Sequence, residues 1–198
     1  MRDIILASAS PRRAALLRQL GVAFRVEAAD VDETIDTASG TPADWVKTLA
    51  RHKAETVINQ GMAEEAVVLA ADTIVVLDGK VLGKPASDAE ARAGLRLLSG
   101  RAHEVVTGFC LWQPASGSIV NEAVTTRVFF RSLTDREIDA YVASGEGRDK
   151  AGGYGIQGLG AVLVEKIEGC YFNVVGLPLT AVYEGFNQLG MPLLPPVQ

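Results

Sequence analysis

The sequence predicts an α/β or α+β fold built on a mixed, largely antiparallel twisted sheet flanked by helices. Three observations predict it. Helix-start signals recur at Ser10-Pro11, Thr41-Pro42, Ser87-Asp88 and Thr134-Asp135, each ahead of a helical apolar face. β-rich runs lie among them without strict strand–helix alternation, and long hairpin patterns in the second half call for antiparallel pairing. The 198 residues, 48% of them hydrophobic, suffice for one well-buried core, a single domain of residues 1–198 with room for two lobes.

Taken in order, residues 3–7 read as a short buried strand. Ser10 caps a helix that Pro11 begins, Leu16, Leu17 and Leu20 give it an apolar face, and Gly21 closes it. Residues 22–28 return as a strand into the acidic turn Asp30-Val31-Asp32-Glu33. A second helix opens at Thr41-Pro42, turns Trp45, Val46, Leu49, Ala50, Val57 and Ile58 to one side, and stops at Gly61. Residues 66–71 form a continuous apolar strand ending at Asp72. Asp78-Gly79 then marks a two-residue hairpin between runs 73–77 and 80–83.

Ser87-Asp88-Ala89-Glu90 is a capping box for a helix ending near Ser99-Gly100. Residues 103–112 and 119–131 are long strands joined through Pro114-Ala115-Ser116-Gly117. A second capping box, Thr134-Asp135-Arg136-Glu137, starts a helix carrying Ile138, Tyr141 and Val142. The glycine-rich segment 149–160 precedes a strand pair turning at Glu168-Gly169, and Pro178 starts the last helix.

Composition narrows the function classes. The apolar run at the start is too short for a signal peptide, and no stretch reaches the ~18 apolar residues of a membrane span. Cys110 and Cys170 lie far apart in apolar, strand-like segments without metal-ligand spacing, so reduced core thiols of a cytoplasmic protein are expected. A net charge of −5 without a basic stripe argues against a nucleic-acid polymer as partner but allows a small anionic ligand.

The chemistry-bearing segments each admit two readings. In Ser8-Ala9-Ser10-Pro11-Arg12-Arg13 a strand runs into a helix whose free N–H groups favour an anion. Arg12 and Arg13 beside the positive helix end fit phosphate oxygens, and Ser8 adds a hydroxyl; the alternative is a capped helix with solvated arginines. Asp72 at the end of an apolar run and Asp32-Glu33 offer carboxylates for a hard cation such as Mg²⁺, or are an ordinary turn and loop. Lys53, Lys84 and Lys150 each read singly as solvated lysines, although Gly83 and Pro85 constrain the backbone of Lys84. The stretch from Gly152 to Gly160 lacks the spacing of either common phosphate-binding glycine motif. With two histidines in the chain, His103 reads as a structural residue.

In combination these segments carry a resemblance. Ser8-Ala9-Ser10-Pro11-Arg12-Arg13, Asp32-Glu33, Ala50-Arg51-His52-Lys53-Ala54, Ala71-Asp72-Thr73 and Gly83-Lys84-Pro85 occur in that order. His103-Glu104-Val105-Val106-Thr107-Gly108, the run from Asp149 to Gly158, and Asn173-Val174-Val175-Gly176-Leu177-Pro178 follow. From residue 4 to about residue 183 the chain resembles the Maf family of nucleoside triphosphate pyrophosphatases.

The resemblance implies a fold like that of the inosine triphosphate pyrophosphatases, two lobes around a nucleotide cleft, and often a homodimer. It implies hydrolysis of a nucleoside triphosphate to monophosphate and pyrophosphate with Mg²⁺ or Mn²⁺. Carried onto this sequence, Glu33 and Asp72 hold the metal, and Asp72 accepts a proton or orients the attacking water. Ser8, Arg12, Arg13, Lys53, Lys84 and Lys150 bind the substrate's phosphates, and Thr73 and Gln157 face its base. Arg12, Thr73 and Gln157 match the branch acting on dTTP and UTP, whereas the 7-methyl-GTP branch tends to carry tryptophan, glutamine and glutamate there. A glutamine amide offers both the donor and the acceptor that the O4 and N3–H edge of uracil or thymine requires.

Overall fold

The computed structural model describes residues 3–29, 31, 39–61, 63 and 65–193. In chain order the elements are β1 (Ile4–Leu6), α1 (Pro11–Gln19), β2 (Arg25–Val26), α2 (Pro42–Asn59), β3 (Val67–Leu77) and β4 (Lys80–Leu82). They continue as α3 (Asp88–Leu98), β5 (Ala102–Gln113), β6 (Ser118–Phe130), α4 (Asp135–Ser144), β7 (Val164–Glu168), α5 (Tyr171–Val175) and α6 (Leu179–Gln188). The strand order is β2-β1-β3-β5-β6-β7, with β4 paired to β3. β1 runs parallel to β2 and β3, whereas β3–β4 and β6–β7 are antiparallel. The fold is mixed α/β, with a mixed sheet flanked by helices.

The chain forms two compact units. The first comprises Met1–Asp72, Thr107–Val124 and Gly176–Gln198; the second comprises Thr73–Val106 and Thr125–Val175. β3, β5 and β6 contribute residues to both. In the first unit Ile5, Val68 and Ala70 pack with Ala50, Ala54 and Val57 of α2 and with Cys110. Small residues dominate the α2 face, which lets the helix lie close to the strands.

The core of the second unit is bulkier. Val75, Leu95, Leu98, Val105, Phe130, Ile138, Tyr141 and Tyr154 share it. Here α3 packs on α4, and Arg92–Asp139 (2.6 Å) and Arg96–Asp135 (2.8 Å) join them at the surface. Such exposed pairs are worth about 0.2–1 kcal/mol each, so apolar burial holds the two helices together.

Three of the four local start signals take the expected form, and the capping box expected at Ser87 is only half made. Ser10 accepts from the Arg13 amide at the head of α1. Thr41 with Asp44, and Thr134 with Glu137, form reciprocal capping boxes. Ser87 caps α3 through the Glu90 amide, but the Glu90 carboxylate reaches back to the Ala86 amide instead of that of Ser87. At the β3–β4 turn both Asp78 (φ 50°) and Gly79 (φ 76°) are left-handed, the geometry whose twist suits a two-residue hairpin.

Three expectations are corrected. The strand foreseen over 22–28 shrinks to Arg25–Val26, because β1, its pairing partner, is only three residues long. The strand foreseen to end at Asp72 instead runs unbroken to Leu77, so Asp72 lies mid-strand. An ion pair to Lys53 supplies the partner that this polar side chain needs inside a buried strand. Glu168-Gly169 does not join two strands: β7 pairs with β6, and the chain enters the short helix α5. Thr126 Oγ1 bonds both the amide and the carbonyl of Cys170, which takes that residue out of any ladder and out of the strand expected for it.

Candidate active site

In the first unit the crossing from β1 to α1 is fixed by side chains. Ser8 Oγ accepts from the Ser10 amide (3.3 Å) and from Arg13 Nη1 (3.1 Å). Arg13 Nε donates 2.8 Å to the carbonyl of Gly176, 163 residues away. Arg13 is buried and braces the crossing from within, while Arg12 beside it is half-buried. The first turn of α1 contains no acidic residue, so the positive end of its dipole and two guanidinium groups act together in favour of an anion.

Lys53, midway along α2, meets Asp72 on β3. Its Nζ lies 2.6 Å from Asp72 Oδ1, and the residues are 6% and 8% exposed. A buried pair of this kind adds little net stability, because two desolvation penalties offset the attraction. Its direct effect is to fix the orientation of the carboxylate. Residue Glu33 lies outside the described residues.

Among the described residues no group of three or more His, Cys, Asp or Glu side chains could hold a metal ion. Mg²⁺ commonly takes one or two carboxylates and completes its shell with water and substrate phosphates. The Asp72 carboxylate fits that donor set.

In the second unit Thr73 lies within β3, whereas Lys84, Lys150 and Gln157 sit on loops. Thr73 is half-buried on β3; Lys84 is exposed just after β4. The Gly152 amide donates 3.0 Å to the Gly83 carbonyl, which ties the loop of Lys84 to the glycine-rich segment. Lys150 turns toward its own unit, its Nζ bonded to Asp149 Oδ1 (2.7 Å) and to the Glu146 carbonyl. Gln157 is exposed at the head of a single 3₁₀ stretch, Gly158–Leu163.

A network not foreseen from the sequence holds that segment. The Glu146 carboxylate accepts from the amides of Leu159 (2.8 Å) and Gly160 (2.9 Å) and from the Tyr141 hydroxyl (3.1 Å). The same hydroxyl accepts from the Gly155 amide at 3.1 Å. Burial works to raise the Glu146 carboxyl, but the Gly160 and Leu159 amides, the Tyr141 hydroxyl and the Lys150 charge outweigh it and hold it below the usual range. The signal that was present is Gly145-Glu146-Gly147, an acceptor-only side chain just ahead of a run rich in glycine amides.

His103 is structural, as its sequence setting suggested. Its Nε2 lies 2.6 Å from the Tyr154 hydroxyl, and Phe130 packs edge-on against both rings. Burial lowers its pKa to about 4, so the ring is neutral near pH 7. No helix among the described residues is long and apolar enough to cross a membrane.

The chain is similar to known proteins along almost its whole length. A family model described as "Maf-like protein" matches residues 3–189. The dTTP/UTP pyrophosphatase of Pelotomaculum thermopropionicum is 48% identical, over 98% of this chain and 100% of its own. Those of Geotalea uraniireducens (49%; 95% of each chain) and Bacillus cereus (47%; 96% of this chain and 97% of that one) are similarly close. A solved HAM1 protein from Coxiella burnetii aligns with a TM-score of 0.45 at 19% identity, covering 66% of this chain and 73% of that one. With a family match running almost end to end and relatives nearly half identical over nearly all of their length, this chain belongs to the Maf-like protein family.

Proposed function

We propose that this protein is a nucleoside triphosphate pyrophosphatase that hydrolyses dTTP and UTP to the monophosphate and pyrophosphate. The observation that carries the proposal is identity of 47–49%, over almost the whole chain, to proteins that bear the name dTTP/UTP pyrophosphatase. The residues described above give that activity a physical basis.

The substrate brings about four negative charges, which must be neutralised before water reaches phosphorus. In this reading Arg12 and the α1 N-terminus supply positive charge and N–H donors to the phosphates. Ser8 and Arg13 hold the crossing in the shape that presents them. Lys84 adds a cation from the loop after β4. Lys150, bonded to Asp149 and to the Glu146 carbonyl, is a further cation assigned to the phosphates.

Asp72, together with Glu33, is proposed to hold Mg²⁺ or Mn²⁺. When bound, the ion neutralises phosphate charge and stabilises the pyrophosphate leaving group. Asp72 orients the attacking water or takes up its proton, and Lys53 keeps the carboxylate in one position for that task. Thr73 and Gln157 are assigned to the base, where an amide matches the O4 acceptor and N3–H donor of the uracil or thymine edge.

A homodimer in the cytoplasm completes the proposal. The dimer is carried by the family resemblance and is tested by sedimentation velocity; the location is consistent with two free thiols. Steady-state turnover of UTP, dTTP, CTP and 7-methyl-GTP with Mg²⁺ tests the substrate assignment. UTP and dTTP should lead in kcat/KM. A lead for 7-methyl-GTP would overturn the base assignment, and tight binding without turnover would make the protein a nucleotide-binding regulator instead.

A further inference from the structure

We propose that Glu146 is a positioning residue for base recognition: its carboxylate locks the glycine-rich segment in the shape that presents Gln157. The inference rests on the reading of Gln157 as the residue facing the base. Glu146 is joined to this segment from both ends. Tyr141 bridges its carboxylate to the Gly155 amide, two residues before Gln157. The Leu159 and Gly160 amides, two and three residues after Gln157, bond the carboxylate directly. Gln157 is thereby held between two anchored backbone points while its own side chain stays exposed.

The glycines make this reach possible. Gly158 has φ +65°, and a Cβ there would run into the Glu146 carboxylate. At Gly160 a Cβ would fall on the Gly155 carbonyl oxygen. The near side of Glu146 is fixed as well: Ser144 Oγ accepts from its amide (3.2 Å) and donates to the Tyr141 carbonyl (2.6 Å). A carboxylate with two oxygens can accept from three donors here; an amide cannot. Glu146→Gln puts an NH₂ group against one of them, with almost no change in shape.

The test compares kcat/KM for UTP and CTP, which differ at the N3 and C4 edge alone, in wild type, Glu146→Gln, Gln157→Ala and the double variant. Hydrogen exchange of the Leu159 and Gly160 amides is measured alongside. Glu146→Gln should raise KM for UTP and lower the UTP/CTP ratio about tenfold, with kcat for CTP nearly unchanged. The double variant should lose no more selectivity than Gln157→Ala, and both amides should exchange faster in Glu146→Gln. Equal losses for UTP and CTP, when Gln157→Ala does shift the ratio, would overturn the proposal and leave Glu146 a purely structural residue. Unchanged amide exchange would overturn it as well. A ratio unmoved by Gln157→Ala would refute the base-reading role of Gln157, and the proposal with it, while the exchange data would still report whether the lock exists. Should Glu146→Gln fail to fold, Tyr141→Phe removes the hydroxyl bridge alone, and an unmoved ratio there overturns the proposal.

Discussion

The Lys53–Asp72 pair of the first unit and the Glu146 network of the second fix polar groups by opposite means. The pair joins two side chains carried by a helix and a strand, each held by an apolar face. The network sets a side chain against backbone amides of a segment with little regular structure. The first arrangement sets a charge in a rigid frame, which suits chemistry at phosphorus. The second moulds a loop around one carboxylate, which suits discrimination between bases. Substitutions in the two regions should therefore separate rate from selectivity.

The largest effect is expected at Asp72. Asp72→Asn keeps the shape and removes the charge, and kcat should fall about 10²–10⁴-fold with the UTP/CTP ratio unmoved. Stopped-flow or steady-state assays with both nucleotides check this, and a shifted ratio would break the division of labour.

Acid should act on the second unit through the buried cluster of His103, Tyr154 and Phe130. His103 is lowered by burial to about 4, against 6.5 for an exposed imidazole. Between those values the unfolded chain binds a proton that the folded chain refuses, so stability falls as pH drops from 6.5 to about 4. The loss attributable to this group approaches about 3 kcal/mol. Urea unfolding at several pH values should show it in the wild type and a flatter slope in His103→Phe.

Arg12→Ala and Lys84→Ala should each cost about 1.5–3 kcal/mol in transition-state stabilisation, read from kcat/KM for both nucleotides equally. A preference for one nucleotide in either variant would move that residue from the phosphates to the base. The smallest effect is expected at Gly158. A left-handed alanine costs about 1–2 kcal/mol, and its methyl would displace Glu146, so Gly158→Ala should lower Tm modestly and erode selectivity more than rate.

What the sequence revealed and what it hid divide along the same line. The caps at Ser10, Thr41 and Thr134 and the Asp78-Gly79 turn were legible because donor, acceptor and backbone preference lie within four residues. The carboxylate of Asp72 stands out after an apolar run, but its mid-strand position does not, since its burial goes with a partner, Lys53, 19 residues earlier. The Arg13–Gly176 bond spans 163 residues and leaves no local pattern, so the brace that Arg13 provides cannot be read from the sequence. Glu146 is hard to single out in the sequence because its partners are mostly main-chain amides, which every residue but proline carries.

The most direct measurement is the ³¹P NMR spectrum of UTP turned over by the purified protein with Mg²⁺. Cleavage between the α- and β-phosphates predicts resonances of UMP and pyrophosphate growing together as UTP disappears. The appearance of UDP and orthophosphate would contradict it, placing the attack at the terminal phosphate and removing the basis for the roles given to Asp72 and the α1 N-terminus.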